Sequence, residues 1–365
     1  MRRPRDANRG QAEVAVPDFA ARLVRWQKRH GRHDLPWQGT RDPYRIWLSE
    51  IMLQQTQVAA VIPYYLRFLD RFPDLATLAA APVSEVMPLW SGLGYYARAR
   101  NLHRAAQVLV EHHGGRFPRD PASIAALPGI GRSTAAAIAA FAFGARAAIL
   151  DGNVKRVLAR CFGIEGFPGA KPVENALWAL AEDLLPGRDM RTYTQALMDL
   201  GATVCTRTRP DCGRCPLADA CAARREGRTA ELPAPRPSRA LPSRSAVLLV
   251  LTEGRRVLLE QRPPAGIWGG LLGLPELPAG TADPAQLALE RYGFRVEAVR
   301  ELPPVAYGFT HFRLEIRPLL CRGRPEPYAA EDRGLQWLPL DGLADAALPA
   351  PIRRLLAGIA AGNGN

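Results

Sequence analysis

Hydrophobic positions recur at helical spacing from Asp18 to about Arg228, as in Phe19, Leu23, Trp26 and His30 after a Pro17-Asp18 start. No alternating strand pattern interrupts this half. The proline-rich stretch Thr229 to Arg244 has little that can pack, so it reads as a semi-rigid linker and a domain boundary. Beyond it the period changes. The apolar run Ala246 to Leu251, the turn Glu253-Gly254 and the run Val257 to Leu259 predict a hairpin. An amphipathic helix follows near Pro284–Tyr292, and further strands lie around Phe312 to Leu320. The expected organisation is a disordered basic N-terminus (1–16), an all-α domain (17–228), a linker (229–244), a smaller α+β domain (245–359) and a disordered tail (360–365).

A chain of 365 residues fits this multidomain reading, since each part is long enough to bury its own core. Hydrophobic and charged fractions are ordinary, but the formal net charge of +13 is not. It favours a polyanionic partner. The chain has only Lys28, Lys155 and Lys171, so nearly all the positive charge is arginine, the better bidentate phosphate ligand. No stretch has the length and apolarity of a signal peptide or a membrane span; the Ala-rich run from Ser133 to Leu150 is interrupted by Arg146. The expected setting is cytoplasmic and nucleoid-associated, with no membrane contact.

In such a reducing compartment, clustered cysteines point to metal rather than disulfides. Cys205, Cys212, Cys215 and Cys221 are spaced C-x6-C-x2-C-x5-C, compact enough for one four-thiolate site. Zinc and an iron–sulfur cluster both accept four thiolates; the presence of only one C-x2-C knuckle leans toward [4Fe–4S]. Arg207, Arg209 and Arg214 would then sit on a metal-pinned, DNA-facing loop. Cys161 and Cys321 lie far from the cluster in sequence and read as small core residues.

Residues Pro121 to Phe143 read as helix, turn (Leu127-Pro128-Gly129-Ile130-Gly131), helix, whose backbone amides can open on a phosphate. Asp151 follows the apolar Ile149-Leu150 and precedes Gly152, a position from which it can face a ligand. Glu50 lies among Ile46, Trp47, Leu48, Ile51, Met52 and Leu53, surroundings that raise a carboxyl pKa and suit it as an acid near neutrality. A protonated and an ionised carboxyl together are what cleavage of a glycosidic bond through an oxocarbenium-like state requires.

These motifs closely resemble those of adenine DNA glycosylases, the MutY family within the helix-hairpin-helix superfamily. The resemblance covers nearly the whole chain and rests on Leu35–Trp37, Trp47–Val58, Gly92–Leu102, Leu127–Ala135, Ile149–Arg160, Met198–Ala202 and the cysteine spacing. It implies an all-α helix-hairpin-helix glycosylase core with a [4Fe–4S] loop on Cys205, Cys212, Cys215 and Cys221, and a C-terminal Nudix-like α+β domain matched by Gln261–Glu276. By the same resemblance, Glu50 protonates a flipped adenine at N7 and later acts on water. Asp151, with Asn153 beside it, stabilises the sugar cation. Trp37, Leu53, Val58, Ser133 and Gln195 line the adenine pocket, and Gln54, Gln55, Tyr95, Arg98, Gly129, Gly131 and Arg132 contact DNA. Gln55 and Tyr95 resemble the wedge that enters the stack opposite oxidised guanine. Phe309-Thr310-His311 stands where the family usually has Phe-Ser-His and is implied to sense 8-oxoguanine.

Three particulars bear on the chemistry. Where the related endonuclease III carries its Schiff-base lysine, this chain has Ser133, which cannot form an imine; that implies monofunctional hydrolysis, with Lys155 capable only of a minor side reaction. At the pocket entry, where relatives often carry Arg or Lys, stands His33. The segment after Gly280 lacks the Arg-Glu-x-x-Glu-Glu helix of a magnesium-dependent Nudix hydrolase. The expected partner is double-stranded DNA with adenine opposite 8-oxoguanine or guanine, met by a monomer. The alternatives are a bifunctional pyrimidine glycosylase and AP lyase, and a non-catalytic, metal-stabilised DNA-binding protein.

Overall fold

In the computed structural model the described residues are 16, 18–237, 240–263, 266–281, 283–326, 334–343 and 346–362. The expected disordered terminus (1–15), part of the linker (238–239) and the last tail residues (363–365) lie outside them. Two compact units emerge, and they do not follow sequence order: Met1–Gln54 with His112–Ser238, and Gln55–Glu111 with Arg239–Asn365. Among the described residues no helix is long and apolar enough to cross a membrane.

The helices in chain order are α1 (Phe19–His30), α2 (Pro43–Leu53), α3 (Val58–Arg71), α4 (Leu75–Ala80), α5 (Val83–Trp90), α6 (Ala97–His113), α7 (Pro121–Ala125), α8 (Arg132–Phe143), α9 (Gly152–Phe162), α10 (Lys171–Asp183), α11 (Met190–Asp199) and α12 (Ala222–Arg225). The first unit holds α1, α2 and α7 to α12, with α8 packed against α2 and α11. Helix α8 is the core of this unit: Ala135 to Phe141 are all buried, and its alanines allow close approach. Local signals set the ends. Asp120 caps α7 by accepting from the Ser123 N–H, and Gly144 ends α8 in the left-handed region at φ 71°. Asp151 caps α9, which Gly163 ends at φ 68°. Helix α11 widens into a π-helical turn, Leu200–Val204, that leads directly to Cys205.

The second unit contains α3 to α5, most of α6, and a sheet with two further helices. Its strands are β1 (Ser243–Glu253), β2 (Arg256–Gln261), β3 (Leu272–Gly273), β4 (Glu276–Leu277), β5 (Phe294–Glu301), β6 (Val305–Gly308), β7 (Arg313–Pro325) and β8 (Leu335–Pro339), with α13 (Pro284–Tyr292) and α14 (Ala350–Ala360). The sheet runs β3-β2-β1-β7-β5, with β4 paired to β1, β6 to β7 and β8 to β2. Among the described strands only β1 and β7 are parallel, from Ser243 opposite Arg313 to Thr252 opposite Arg322. A core of Leu249, Leu251, Leu258, Ala288, Tyr292, Phe294 and Cys321 joins the sheet to α13. Arg353 of α14 donates to the Ser91 hydroxyl (2.9 Å), and Ser91 Oγ donates to the Leu348 carbonyl (3.3 Å), so the loop after α5 is held to the C-terminal segment.

Strand β1 begins at Ser243, and at the other end of the proline-rich stretch Leu232 is buried, its carbonyl accepting from Arg160 Nε at 2.7 Å.

Candidate active site

Glu50 is carried by α2, whose Ile46, Trp47, Leu48, Ser49, Ile51 and Met52 are buried around it. Its own side chain keeps a partial opening to solvent. Burial in this apolar setting, and secondarily the charge of Asp151, push the Glu50 carboxyl up to about 8. Asp151 is also raised by burial, but donors oppose the shift: Val154 N–H at 2.8 Å, the Asn153 amide at 3.3 Å and the charge of Arg156. Among the described residues no hydrogen bond does the same for Glu50. The two carboxyls therefore feel each other while living in different environments, and Glu50 is the one built to hold a proton. Asp151 has a second duty that its sequence context signals: as the N-cap of α9, it commits Oδ1 to the helix.

Ser133, in the first turn of α8, accepts from the Leu150 N–H at 2.9 Å. This hydroxyl fixes the peptide leading into Asp151. Lys155 is ion-paired to Glu174 at 2.7 Å, which occupies the amine that would otherwise be available for a side reaction. His33 Nε2 faces the Gln27 carbonyl at 3.0 Å. Trp37 is buried in a turn that Arg191 pins to α11 by donating to the carbonyls of Gln38 (2.7 Å) and Thr40 (2.6 Å). Gln195, one helical turn beyond Arg191, lies on the same face of α11. Leu53, half-buried, and Gln54, whose amide donates to Thr134 Oγ1 at 3.3 Å, end α2 in the same unit. Val58 belongs to the other unit.

In the hairpin between α7 and α8, Gly129 is left-handed at φ 76°, where a side chain would be strained. Gly131 is extended and caps α8; a Cβ there would meet open space, so the backbone is free to approach a ligand closely. Arg132, expected to contact DNA, lies 3.9 Å over the Trp178 ring and is ion-paired with Glu182.

In the other unit, Gln55 (φ 58°) and Tyr95 (φ 50°) are both left-handed without being glycine, and both are exposed. Such strain persists only where the surroundings impose it. Arg98 does the imposing: buried, it donates to Thr56 Oγ1 (3.1 Å) and to the carbonyls of Leu93 (3.3 Å) and Gly94 (3.1 Å), and its guanidinium lies against the Tyr95 ring. Its guanidinium is spent on these two loops rather than held out toward a phosphate. Thr310 and His311 form the exposed tip between β6 and β7, closed by the Phe309 N–H donating to the Phe312 carbonyl at 2.9 Å. The Phe309 and Phe312 rings stack at 4.4 Å beneath the tip, with Trp268 and Tyr307 packed on Phe309.

Cys205, Cys212, Cys215 and Cys221 border a single cavity together with Arg160, Val204 and Thr229. Among the described residues no three metal-ligating side chains converge as they would on one ion. Arg160 is buried and donates to the carbonyls of Leu232, Thr206 (2.6 Å) and Arg207 (3.0 Å) and to Cys205 Sγ (3.4 Å). Arg156 joins this loop to the carboxylate region, donating to the Cys205 carbonyl (2.7 Å) and to Asn153 Oδ1 (2.8 Å). Cys161 is buried as expected but is not remote: its thiol is in hydrogen-bond contact with Cys221. One turn of α9 thus presents Arg160 and Cys161 to the cysteine loop, a consequence of folding that linear distance conceals.

The HhH-GPD superfamily base excision DNA repair protein family matches residues 48–183, and the NUDIX domain family matches 246–358. An adenine DNA glycosylase of Buchnera aphidicola (strain APS) is 34% identical over 93% of this chain and 96% of its own length. The chain belongs to the adenine DNA glycosylase family. The human adenine DNA glycosylase is also 34% identical, over 95% of this chain and 74% of its own. Among solved structures, a thermostable thymine-DNA glycosylase superposes with a TM-score of 0.51 at 34% identity, covering 57% of this chain and 95% of that one. That relative matches the glycosylase fold without accounting for the rest of the chain, where the NUDIX match falls.

Proposed function

We propose that the chain is a monofunctional DNA glycosylase that flips adenine from duplex DNA opposite 8-oxoguanine or guanine and hydrolyses its N-glycosidic bond. The observation that carries the chemistry is Glu50: a carboxyl raised to about 8 beside a donor-supplied Asp151 supplies the acid and the anion together. Glu50 gives its proton to adenine N7. The C1′–N9 bond breaks with its electron pair leaving on the base, and Asp151, through Oδ2, which the Asn153 amide orients, faces the positive sugar. Water then adds to C1′ and its proton passes to the Glu50 carboxylate. Ser133 puts a hydroxyl where a lysine could form an imine, and the Lys155 amine is engaged by Glu174, which supports hydrolysis without a lyase step.

The exposed, left-handed Gln55 and Tyr95 suit a wedge that fills the emptied stack, since a side chain pre-set in a strained turn loses little freedom on insertion. Thr310 and His311, stiffened by the aromatic stack below them, suit a sensor of 8-oxoguanine. The hairpin amides around Gly129 and Gly131 suit a phosphate.

The four cysteines border one cavity, which suits a [4Fe–4S] cluster held by four thiolates. Arg160 supports the same fit: a buried guanidinium with carbonyls and a sulfur but no carboxylate among its partners suits a site of net negative charge. Cys205, Cys212, Cys215 and Cys221 would hold such a cluster, and its binding would pin the loop that carries Arg207, Arg209 and Arg214. We take the enzyme to act as a monomer on double-stranded DNA.

The direct test is Glu50→Gln. Duplex binding should persist within a few-fold while base release falls by at least a thousandfold; an active variant would remove Glu50 from the acid role.

A further inference from the structure

Helix α6 carries two arginines at its start, Arg98 and Arg100, where the positive end of the helix dipole disfavours cations. Burial adds a second cost and lowers the pKa of both guanidiniums. Arg98 is spent on the strained loops of Gln55 and Tyr95. Arg100 is spent elsewhere. Its Nη1 donates to the Gly269 carbonyl, 169 residues away in sequence but within the same unit, and among the described residues no carboxylate offsets its burial.

The segment that accepts this bond is itself strained. Trp268 is buried at φ 54°, between Gly266 (φ 90°) and Gly270 (φ 75°). A glycine would hold that conformation without strain, so it is the indole that the position needs. Its ring packs on Tyr307 (5.9 Å) and Phe309 (5.8 Å), the floor beneath Thr310 and His311. On either side the loop satisfies its own carbonyls: Ile267 accepts from Arg262 Nε (3.0 Å) and Gly270 from the Gln261 amide (2.8 Å). Gly269 takes its donor from α6 instead. The backbone there is close as well, since a Cβ on Gly270 would meet Arg100 Cδ at 3.6 Å and Met87 Cε of α5 at 3.9 Å.

We infer that Arg100 is a specificity-determining residue: by holding Gly269 it keeps Trp268 in its left-handed turn and sets the aromatic floor of the 8-oxoguanine sensor in a defined place relative to the Tyr95 wedge. This rests on the sensor and wedge readings above. Arg98 and Arg100 are two positions apart on one helix, so the wedge loop and the sensor floor share one mount. Arg100 acts through Trp268 and not on a base; it is a positioning residue. Without its bond the buried Gly269 carbonyl is left unpaired and the floor relaxes, which costs the contacts that separate 8-oxoguanine from guanine while the carboxyls of the other unit keep their chemistry.

The test is single-turnover base release, at saturating full-length holoenzyme, from duplexes carrying adenine opposite 8-oxoguanine or opposite guanine. In Arg100→Met, which keeps the stem and removes the donor, the ratio of the two rates should fall about fivefold or more, through loss on the 8-oxoguanine duplex. A fold defect or a lost phosphate contact would slow both duplexes alike, and an unchanged ratio overturns the inference. Arg100→Lys, which can still donate to Gly269, should keep most of the ratio; a lysine variant as impaired as the methionine one also overturns it. Thr310→Ala removes the sensor hydroxyl from an exposed tip, and in that background Arg100→Met should lower the ratio little further, whereas additive losses overturn the inference. If the wild-type enzyme shows no preference for 8-oxoguanine, or Thr310→Ala retains it in full, it is the underlying sensor reading that fails instead.

Discussion

At the residue scale, a carboxyl held near 8 makes two signatures measurable. Glu50 donates in its protonated form, so the rate of base release should fall as pH rises through about 8, and the descending limb should be a one-proton step. Stability carries the same proton. The folded pKa lies above the ordinary 4.5, so the folded state holds the proton more tightly; the stability linked to it is present below about 4.5 and lost as pH rises through about 8. Glu50→Gln should therefore unfold at a higher temperature than wild type at pH 9, with an advantage on the order of 2 kcal/mol after allowing for the partial opening to solvent. Equal melting curves for the two proteins at pH 9 would show that the carboxyl is not desolvated. Much of this site could be read from sequence, because an acid flanked by six apolar residues in one helix has few other environments to occupy. The role of Arg100 could not. Its partner Gly269 is 169 residues away, and no local pattern announces a hydrogen bond of that separation.

Elements were legible where their ends carry their own chemistry. Helix α13 was expected at Pro284–Tyr292 and is found there, because Asp283 caps it, Pro284 opens it and Gly293 closes it in the left-handed region. The hairpin before α8 was legible for the same reason. Gly129→Ala should cost about 1 kcal/mol or more, since φ 76° strains any Cβ, and should weaken duplex binding more than Gly131→Ala, which meets no atoms; thermal unfolding and binding titration check both. Strand β5 and helix α14 escaped notice: in β5 all residues after Val296 are exposed, so no alternation marks it. At the cysteine loop, the spacing marks candidate ligands but not what stands behind them. Arg160→Met leaves three carbonyls and a sulfur without their donor, a loss on the order of 3 kcal/mol. The purified variant should carry less iron per chain, and full iron content with unchanged melting would remove Arg160 from that role.

For the whole molecule, a net charge of +13 predicts affinity for duplex DNA that falls steeply with salt, about tenfold or more between 50 and 200 mM. Salt-insensitive binding would mean the charge serves solubility alone. The two fold classes were legible from the change of hydrophobic period at the linker. The grouping of residues 55–111 with 239–365 was not, because an amphipathic helix states which face it buries and never names the partner that covers it. That grouping assigns Gln55, Tyr95, Thr310 and His311 to one unit and the carboxyls to the other. Substitution of Thr310 by alanine should accordingly lower release opposite 8-oxoguanine more than release opposite guanine.

Adenine excision is tested by single-turnover base release from three duplexes: adenine opposite 8-oxoguanine, adenine opposite guanine, and thymine glycol opposite adenine. Adenine should be lost from the first two, faster opposite 8-oxoguanine, with an intact abasic strand until alkali is added. Release of thymine glycol with strand scission and no loss of adenine would contradict it.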